Sequence, residues 1–183
     1  MTLLEVVTRH IPGRPTMLAA NMDSVKALAN GAPNLVKQTL LVDEVGRGVP
    51  WANARLAEFE PSGDYIWLLD DDDEVLDMSM AWVLLEIAER QPDLIMMRMD
   101  HGPGVGILPN DMHWQRRPVL GQFGCSSFIT SAAHWRRCRS IWNATYAADA
   151  DFVRYAFDHT TAVEWRDVVA SRCQRASSNG APE

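Results

Sequence analysis

Four consecutive aspartates, Asp70 to Asp73, directly follow a continuous apolar run from Tyr65 to Leu69. A run of this length is typical of a strand that is buried on both faces of a parallel sheet. Ligands of such sheets bind outside the carboxyl ends of the strands, where these carboxylates would emerge. Crowded carboxylates repel one another, and a hard divalent cation such as Mg²⁺ or Mn²⁺ neutralises them. An acidic run is also typical of a solvated loop, so its position after the strand is what favours a metal site.

Two further strand ends carry polar side chains that we expect at the same edge of the sheet. The first predicted strand, Leu3 to Thr8, is followed by Arg9, and the second, Thr39 to Val42, ends at Asp43. Because the carboxyl ends of parallel strands share one edge, these groups should converge on the acidic run. A cation held there would stabilise the charge that a departing diphosphate gains when a sugar is transferred from a nucleotide diphosphate. The sequence therefore predicts a site for a nucleotide-diphosphate sugar.

The elements that must position these groups alternate between strands and helices. Apolar residues at three- and four-residue spacing predict a helix over 16–30, and further helices are expected over 50–60 and up to Arg90. Leu94 to Met97 is a further apolar run of strand length. The alternation predicts an α/β fold with a mostly parallel central sheet flanked by helices. In the second half we expect a mobile loop over 100–110, a strand near 125–130, a short helix from Ser131, a helix near Asp149 and a last strand around 162–171.

Length and composition exclude several classes of protein. A chain of 183 residues, with 47% apolar and 22% charged residues, fits one globular domain. The formal net charge of −7 argues against a nucleic-acid partner. The sequence contains no apolar stretch long enough for a transmembrane segment and no signal-peptide pattern, so we expect a cytoplasmic protein. The three cysteines do not follow the spacing of a zinc site or a disulfide framework.

The first half of the chain resembles the family 2-like glycosyltransferases, which have the GT-A fold. Members commonly show a first strand that leads into an (N/T)R-x(n)-RP turn, a second strand ending in Asp, and a gDYIxxLDxDD segment. The matching stretches here are Thr8 to Pro15, Met22 to Val25, Leu41 to Asp43, and Gly63 to Glu74. The resemblance implies a single GT-A-like catalytic domain over 1–175, with a nucleotide-sugar-binding half over 1–100, an acceptor half over 101–175, and a flexible tail over 176–183.

The resemblance also implies donor-binding roles for residues of the first half. By this resemblance a nucleotide-diphosphate sugar, with a UDP-sugar expected first, is bound by Thr8, Arg9, Asp43, Arg55, Asp70 and Asp71. The divalent cation, Mn²⁺ or Mg²⁺, is bound by Asp72, with Asp70 beside it. Arg55 lies in a segment similar to the family's Ala-Arg-Asn stretch, although an ordinary exposed helix arginine explains it equally well.

In the second half, Ala148 to Phe152 is similar to the family's ED-x-(D/E)-(F/L/W) segment, whose Asp takes the proton from the acceptor hydroxyl. The similarity aligns Asp149 with this general base and makes Asp151 a second catalytic candidate. A helix start favours an ionised carboxylate, but Asp149 is also well placed to be an ordinary N-cap. The reaction implied is an inverting displacement onto an unknown acceptor hydroxyl. Trp114 and Trp142 are candidate sugar-stacking platforms.

Two alternatives stay open at this point. A sugar nucleotidyltransferase uses a similar sheet and metal, but it usually carries a Gly-rich loop after the first strand, which Thr8 to Pro15 does not provide. A degenerate GT-A module that binds nucleotide or a partner protein without turnover is favoured by the short chain and by the absence of a clear third metal ligand. Two departures from the family bear on this choice, since Asp43 to Gly48 replaces an Asp-Gly-Ser-x-Asp stretch and Ala148 replaces a Glu.

Overall fold

A computed structural model describes residues 3–174, apart from the side chains of 77–79 and 81–82. Its strands are β1 (Leu4–His10), β2 (Val36–Val42), β3 (Tyr65–Leu68), β4 (Asp73–Val75), β5 (Leu94–Asp100), β6 (Ile107–Leu108), β7 (Phe128–Ser131) and β8 (Val163–Cys173). Its helices are α1 (Pro15–Gly31), α2 (Val49–Glu58), α3 (Asp77–Arg90), α4 (Ala132–Cys138) and α5 (Ala148–Asp158). In this described part of the chain, no helix is both long and apolar enough to span a membrane. The predicted tail over 176–183 lies outside the described residues.

The strands form a single sheet in the order β2-β1-β3-β7-β5-β8-β4, with β6 paired to β5. Strand β1 pairs in parallel with β2 and β3, and β5 pairs in parallel with β8. The pairings of β7 with β3 and β5, of β4 with β8 and of β6 with β5 are antiparallel. The predicted α/β fold is confirmed, and the mostly parallel sheet is corrected to a mixed one.

The mixed topology has a simple physical cause. After β3 and after β5, the chain does not cross back along a helix to the opposite edge of the sheet, as a parallel connection requires. The acidic run turns directly into β4, and the segment 101–124 leads into β7 from the same edge at which β5 ends. Both β4 and β7 therefore run back against their neighbours, and the connecting segments stay at the carboxyl edge where a site can form.

The sheet carries a hydrophobic core on each face. On one face, α2, α4 and α5 pack around residues such as Leu56, Trp135 and Phe152. On the other face, α1 and α3 contribute Val25 and Ile87. Successive side chains of β3 alternate between the two cores, which explains why its sequence is apolar throughout. The acidic run is thus placed at the end of a strand that both cores hold in position.

Near the amino end of β1, the buried carboxylate of Glu5 joins β2 to the turn before β3. It accepts hydrogen bonds from Thr39 Oγ1 at 2.7 Å and from the backbone N–H groups of Ser62 and Gly63 at 2.7 and 2.8 Å. Burial alone would raise the pKa of Glu5, but these hydrogen bonds outweigh it and hold the pKa below its usual range. At Gly63, an added Cβ would lie 2.8 Å from the Glu5 Cβ and 3.0 Å from the Leu3 carbonyl, so the turn requires glycine.

Candidate functional site

A cavity of about 370 Å³ opens at the carboxyl edge of the sheet, beside the ends of β1 and β3. Its wall includes Arg9 and Asn53, the acidic run of residues 70–73, the segment 120–126, and Asp149. The volume lies within the range of roughly 300–1,000 Å³ that is typical of small-molecule sites. The acidic run and the predicted base therefore face the same cavity, although they are far apart in the sequence.

Arg9, in β1, fixes the orientation of Asp70. Its Nε and Nη2 atoms donate to the two carboxylate oxygens of Asp70, both at 2.6 Å, in a bidentate pair. Nη1 donates to Asn53 Oδ1, and Nη2 also donates to Cys125 Sγ at 2.9 Å. Arg9 is buried, and all three of its side-chain nitrogens donate hydrogen bonds within the protein. Its role in this structure is therefore to orient Asp70, whose side chain is 30% exposed.

Asp71 connects the acidic run to the turn after β1. Its buried carboxylate accepts hydrogen bonds from His10 Nδ1 at 2.8 Å, from the Ile11 backbone N–H at 3.0 Å and from Arg14 Nη1 at 2.9 Å. Arg14 Nη1 also contacts Asp72 Oδ2 at 3.0 Å. Since Asp71 already accepts three hydrogen bonds, its role in this structure is to hold the site together. The nucleotide contact expected at Asp71 remains a prediction.

Three carboxylates of the acidic run form a compact cluster. One oxygen from each of Asp70, Asp72 and Asp73 lies within 4.8 Å of the other two. Burial and the charge of Asp70 raise the pKa of Asp72 to about 6. Burial and the charges of Asp72 and Asp70 also raise the pKa of Asp73 well above its usual range, although Ser126 Oγ donates to Asp73 Oδ2. This all-oxygen, electron-rich set fits a hard divalent cation. Sequence reasoning placed the metal site at the whole run from Asp70 to Asp73 and expected Asp72 and Asp70 as ligands; the structure adds Asp73 to these two.

Thr8 lies behind the cluster and not in the cavity wall. Asn21, from α1, donates from Nδ2 to the backbone carbonyls of Asp70 and Asp73, both at 2.9 Å. Asn21 Oδ1 in turn accepts hydrogen bonds from Thr8 Oγ1 at 3.2 Å and Gln38 Nε2 at 2.8 Å. Thr8 is fully buried in this network. It stabilises the turn that carries the acidic run, and the nucleotide contact expected at Thr8 stays a prediction.

Asp43, Arg55 and Asp151 also lie outside the cavity wall. Asp43 is fully buried at the end of β2 and accepts a hydrogen bond from the Gly48 backbone N–H at 2.5 Å, which closes its own loop. Arg55 is exposed and pairs with Glu58 at 2.8 Å, as the alternative of an ordinary helix arginine predicts. Asp151 is 45% exposed. The structure therefore does not bring these three predicted residues to the cavity.

The helical period explains why neighbours of the predicted residues face the cavity instead. Residues that are two positions apart in a helix are separated by about 200° around its axis, so their side chains lie on opposite faces. Asn53 faces the cavity and Arg55 faces away from it, and the same relation holds for Asp149 and Asp151. The Asn53 amide donates to the Thr145 carbonyl at 2.8 Å while accepting from Arg9. Sequence reasoning missed Asn53, because the phase of this short helix is set by its packing.

Asp149 lies in the cavity wall at the first turn of α5. The helix begins after Ala147, with no side-chain cap, so Asp149 is not its N-cap. Asp149 Oδ1 accepts a hydrogen bond from the Ala150 backbone N–H at 2.7 Å. Burial raises the pKa of Asp149, and the nearby charge of Arg9 partly offsets this shift. A partly buried carboxylate with a raised pKa that faces a cavity is suited to accept a proton from a bound hydroxyl.

Neither predicted stacking platform lies in the cavity wall. Trp142 is buried in the core and stacks on Phe152, with ring centroids 5.0 Å apart. Trp114 packs edge-on against Trp165 and beneath the Arg98 guanidinium. The exposed aromatic ring in the wall is instead that of Tyr146, of which 67% is accessible.

The fold is shared with solved glycosyltransferase structures. TarS 1-349 from S. aureus superposes with a TM-score of 0.66 at 14% identity, over 93% of this chain and 60% of that chain. Its complex with UDP-GlcNAc gives 0.67 at 14% identity, over 93% and 58% of the two chains. A glycosyltransferase involved in the glycosylation of the major capsid of PBCV-1 gives 0.60 at 9% identity, over 96% and 94%. The chain therefore has a GT-A-like glycosyltransferase fold.

These likenesses are structural. No family model and no curated protein matches the sequence. The chain spans about 60% of the TarS 1-349 structure, so the activity of the longer protein does not transfer with the fold.

Proposed function

We propose that this protein is a glycosyltransferase that moves a sugar from a nucleotide-diphosphate donor, first of all a UDP-sugar, to an acceptor hydroxyl. The observation that carries the proposal is the carboxylate cluster of Asp70, Asp72 and Asp73 in a cavity that also contains Asp149. The GT-A-like fold supports it, because structures of TarS 1-349 contain UDP-GlcNAc or UDP.

The donor side of the cavity would depend on Mn²⁺ or Mg²⁺. Asp70, Asp72 and Asp73 are the residues that would bind the cation, which when bound supplies Lewis-acid stabilisation of the departing diphosphate. Hydrogen bonds within the chain hold these ligands in position. Arg9 orients Asp70 through its bidentate pair, and Asn21 fixes the backbone on both sides of the turn.

On the acceptor side, Asp149 would act as the general base. The acceptor hydroxyl gives its proton to the Asp149 carboxylate, its oxygen forms a bond to the anomeric carbon, and the bond from that carbon to the diphosphate breaks with its electron pair on the diphosphate. A single displacement of this kind inverts the anomeric configuration. The raised pKa makes Asp149 a stronger base than an exposed aspartate. Asp151 has no part in this scheme, since it faces away from the cavity.

Calorimetric titration of UDP, with and without Mn²⁺, tests the donor half of the proposal. We expect binding that requires Mn²⁺ and that weakens at least ~10-fold in Asp72→Asn, because a charged cation ligand is lost. Asp151→Asn is the matched control, since it removes the same charge from an exposed position, and its affinity should stay within about twofold. Equal affinity for UDP with and without Mn²⁺ contradicts metal-dependent binding. Equal affinity in Asp72→Asn and wild type removes Asp72 from the cation ligands.

A second measurement separates an enzyme from a binding module. A panel of nucleotide sugars is incubated with the protein and a mixture of hydroxyl-bearing acceptors, and release of free nucleotide diphosphate is followed. Release from at least one donor supports the transferase. Tight donor binding without release from any donor identifies a module that binds nucleotide without turnover.

A further inference from the structure

The cavity wall beside Asp149 differs in charge from the wall around the acidic run. Among the described lining residues that follow Asp73 in the chain, none is an arginine or lysine. The titratable groups there are His101, Cys125, Cys173, Tyr146 and Asp149. Burial lowers the pKa of His101, which favours the neutral imidazole. The positive charge that acts on Asp149 is that of Arg9, which is already paired with Asp70.

The cavity as a whole is strongly acidic. Its lining contains the carboxylates of residues 70–73 and of Asp149, against the guanidinium groups of Arg9 and Arg14. Arg9 is paired with Asp70 and Arg14 with Asp71, so both cations face carboxylates. A bound nucleotide diphosphate would bring further negative charge together with its cation. An acceptor that carries phosphate or carboxylate would therefore be repelled from this site.

Two large apolar side chains are exposed on the same wall. Leu120 is 65% accessible and Tyr146 is 67% accessible, and both line the cavity. Tyr146 belongs to the segment that leads into α5, and so lies close in sequence to Asp149. An aromatic ring with a polar tip pairs well with a ligand that has both an apolar face and hydroxyl groups. A sugar ring has this character, because its C–H bonds form an apolar face and its hydroxyls surround the edge.

We propose that the acceptor is a saccharide without anionic groups, whose ring stacks on Tyr146 beside Leu120 and presents one hydroxyl to Asp149. The inference rests on the proposed function and specifies the acceptor class for the same cavity. It assigns to Tyr146 the stacking role that the sequence suggested for Trp114 and Trp142. The proposal excludes a lipid, a peptide and a phosphorylated glycan as the acceptor.

The test uses the whole protein with UDP and Mg²⁺ present, and methyl glycosides of glucose, galactose and mannose as probes, each compared with its own 6-phosphate. Saturation-transfer NMR reports contact with the sugar C–H groups, and titration gives affinity. We expect at least one neutral glycoside to bind, its phosphate to bind at least ~10-fold more weakly, and Tyr146→Ala to weaken neutral binding at least ~10-fold. Tyr146→Phe keeps the ring and should stay within about twofold.

Tyr155→Ala is the matched control, because Tyr155 stacks on His159 and is absent from the described cavity wall. Thermal unfolding of each variant checks its fold, and Tyr146→Ala should unfold like the wild type because the ring is largely exposed. Tighter binding of a phosphate than of its parent glycoside, no binding of any glycoside, or an unchanged affinity in Tyr146→Ala overturns the inference. Binding of UDP in the same samples reports separately on the proposed function.

Discussion

Glu5 in β1 and Asp72 in the turn between β3 and β4 are both buried carboxylates, yet their pKa values shift in opposite directions. Glu5 receives hydrogen bonds from the backbone of the turn at 62–63 and from Thr39. Asp72 lies among other carboxylates, and Arg14 compensates only part of their charge. The difference teaches that burial by itself does not define a functional carboxylate. What distinguishes the two regions is whether the protein supplies the partners that the charge needs.

The Glu5 region is complete within the chain, whereas the acidic cluster is the site that we propose for a cation. In the first, carboxylate and donors stabilise the fold together. In the second, the chain holds three carboxylates close together through Arg9 and Asn21, and a bound cation would offset their repulsion. Substitutions on the side of the acidic cluster should therefore change function, whereas substitution of Glu5 should change stability.

The largest effect is expected at Asp149. Asp149→Asn keeps the size of the side chain but removes the base, so the rate of sugar transfer should fall by ~10²–10⁴-fold. Calorimetric affinity for UDP with Mn²⁺ should be unchanged, because the donor ligands remain. The rate of transfer is measured as turnover of a donor from the panel. Asp151→Asn is the control, and its rate should be normal. A normal rate in Asp149→Asn removes this residue from the role of base.

At the opposite region, Glu5→Ala should lower stability instead. The substitution leaves the partly buried N–H group of Ser62, the buried N–H group of Gly63 and the Thr39 hydroxyl without their acceptor, at a cost of ~3 kcal/mol. Denaturant unfolding measures the change, and Glu58→Ala, at an exposed position, is the control. At a temperature where the variant is folded, its UDP affinity should match that of the wild type. A stability equal to the wild type shows that this carboxylate is not needed for the fold.

A smaller effect concerns pH. The pKa of Glu5 is lower in the folded than in the unfolded state, so the unfolded chain takes up the proton first as the pH falls. The stability that Glu5 contributes is therefore present above its unfolded pKa of about 4.5 and is lost as the pH falls through the folded value. The free energy of unfolding of wild type and Glu5→Gln, measured from pH 7 to 3, should converge at the acid end. A constant difference across this range contradicts the lowered pKa.

The sequence predicted the carboxyl edge of the sheet well, for a physical reason. Strand β3 is apolar throughout, β1 is rich in apolar residues up to Val7, and both are followed by polar groups; this pattern places Arg9, Asp70 and Asp72 at one edge. The fold class follows from the alternation of elements, and it is confirmed. Strands β4 and β6 are only three and two residues long, so they leave no periodic signal to detect. Their direction, which makes the sheet mixed, depends on connections that have no sequence period.

Which residue of each segment reaches the cavity was harder to predict. The resemblance selected Arg55 and Asp151 along with Asp149, but the faces of α2 and α5 are fixed by the packing of their apolar residues around the core. Asn53 and Tyr146 are ordinary residues in the sequence. Asn53 is singled out because Arg9, distant in the chain, contacts it in the folded protein, and Tyr146 because its ring lines the same cavity as Asp149.

For the transfer that we propose, the position of Asn53 would have a kinetic consequence. Its amide group contacts Arg9, which orients Asp70, and also the backbone carbonyl of Thr145, shortly before α5. A shift of Arg9 that accompanies the arrival of a donor would therefore be passed to the chain segment that carries Tyr146 and Asp149. Such a link favours an ordered scheme, in which the donor enters first and its presence sets the affinity for the acceptor.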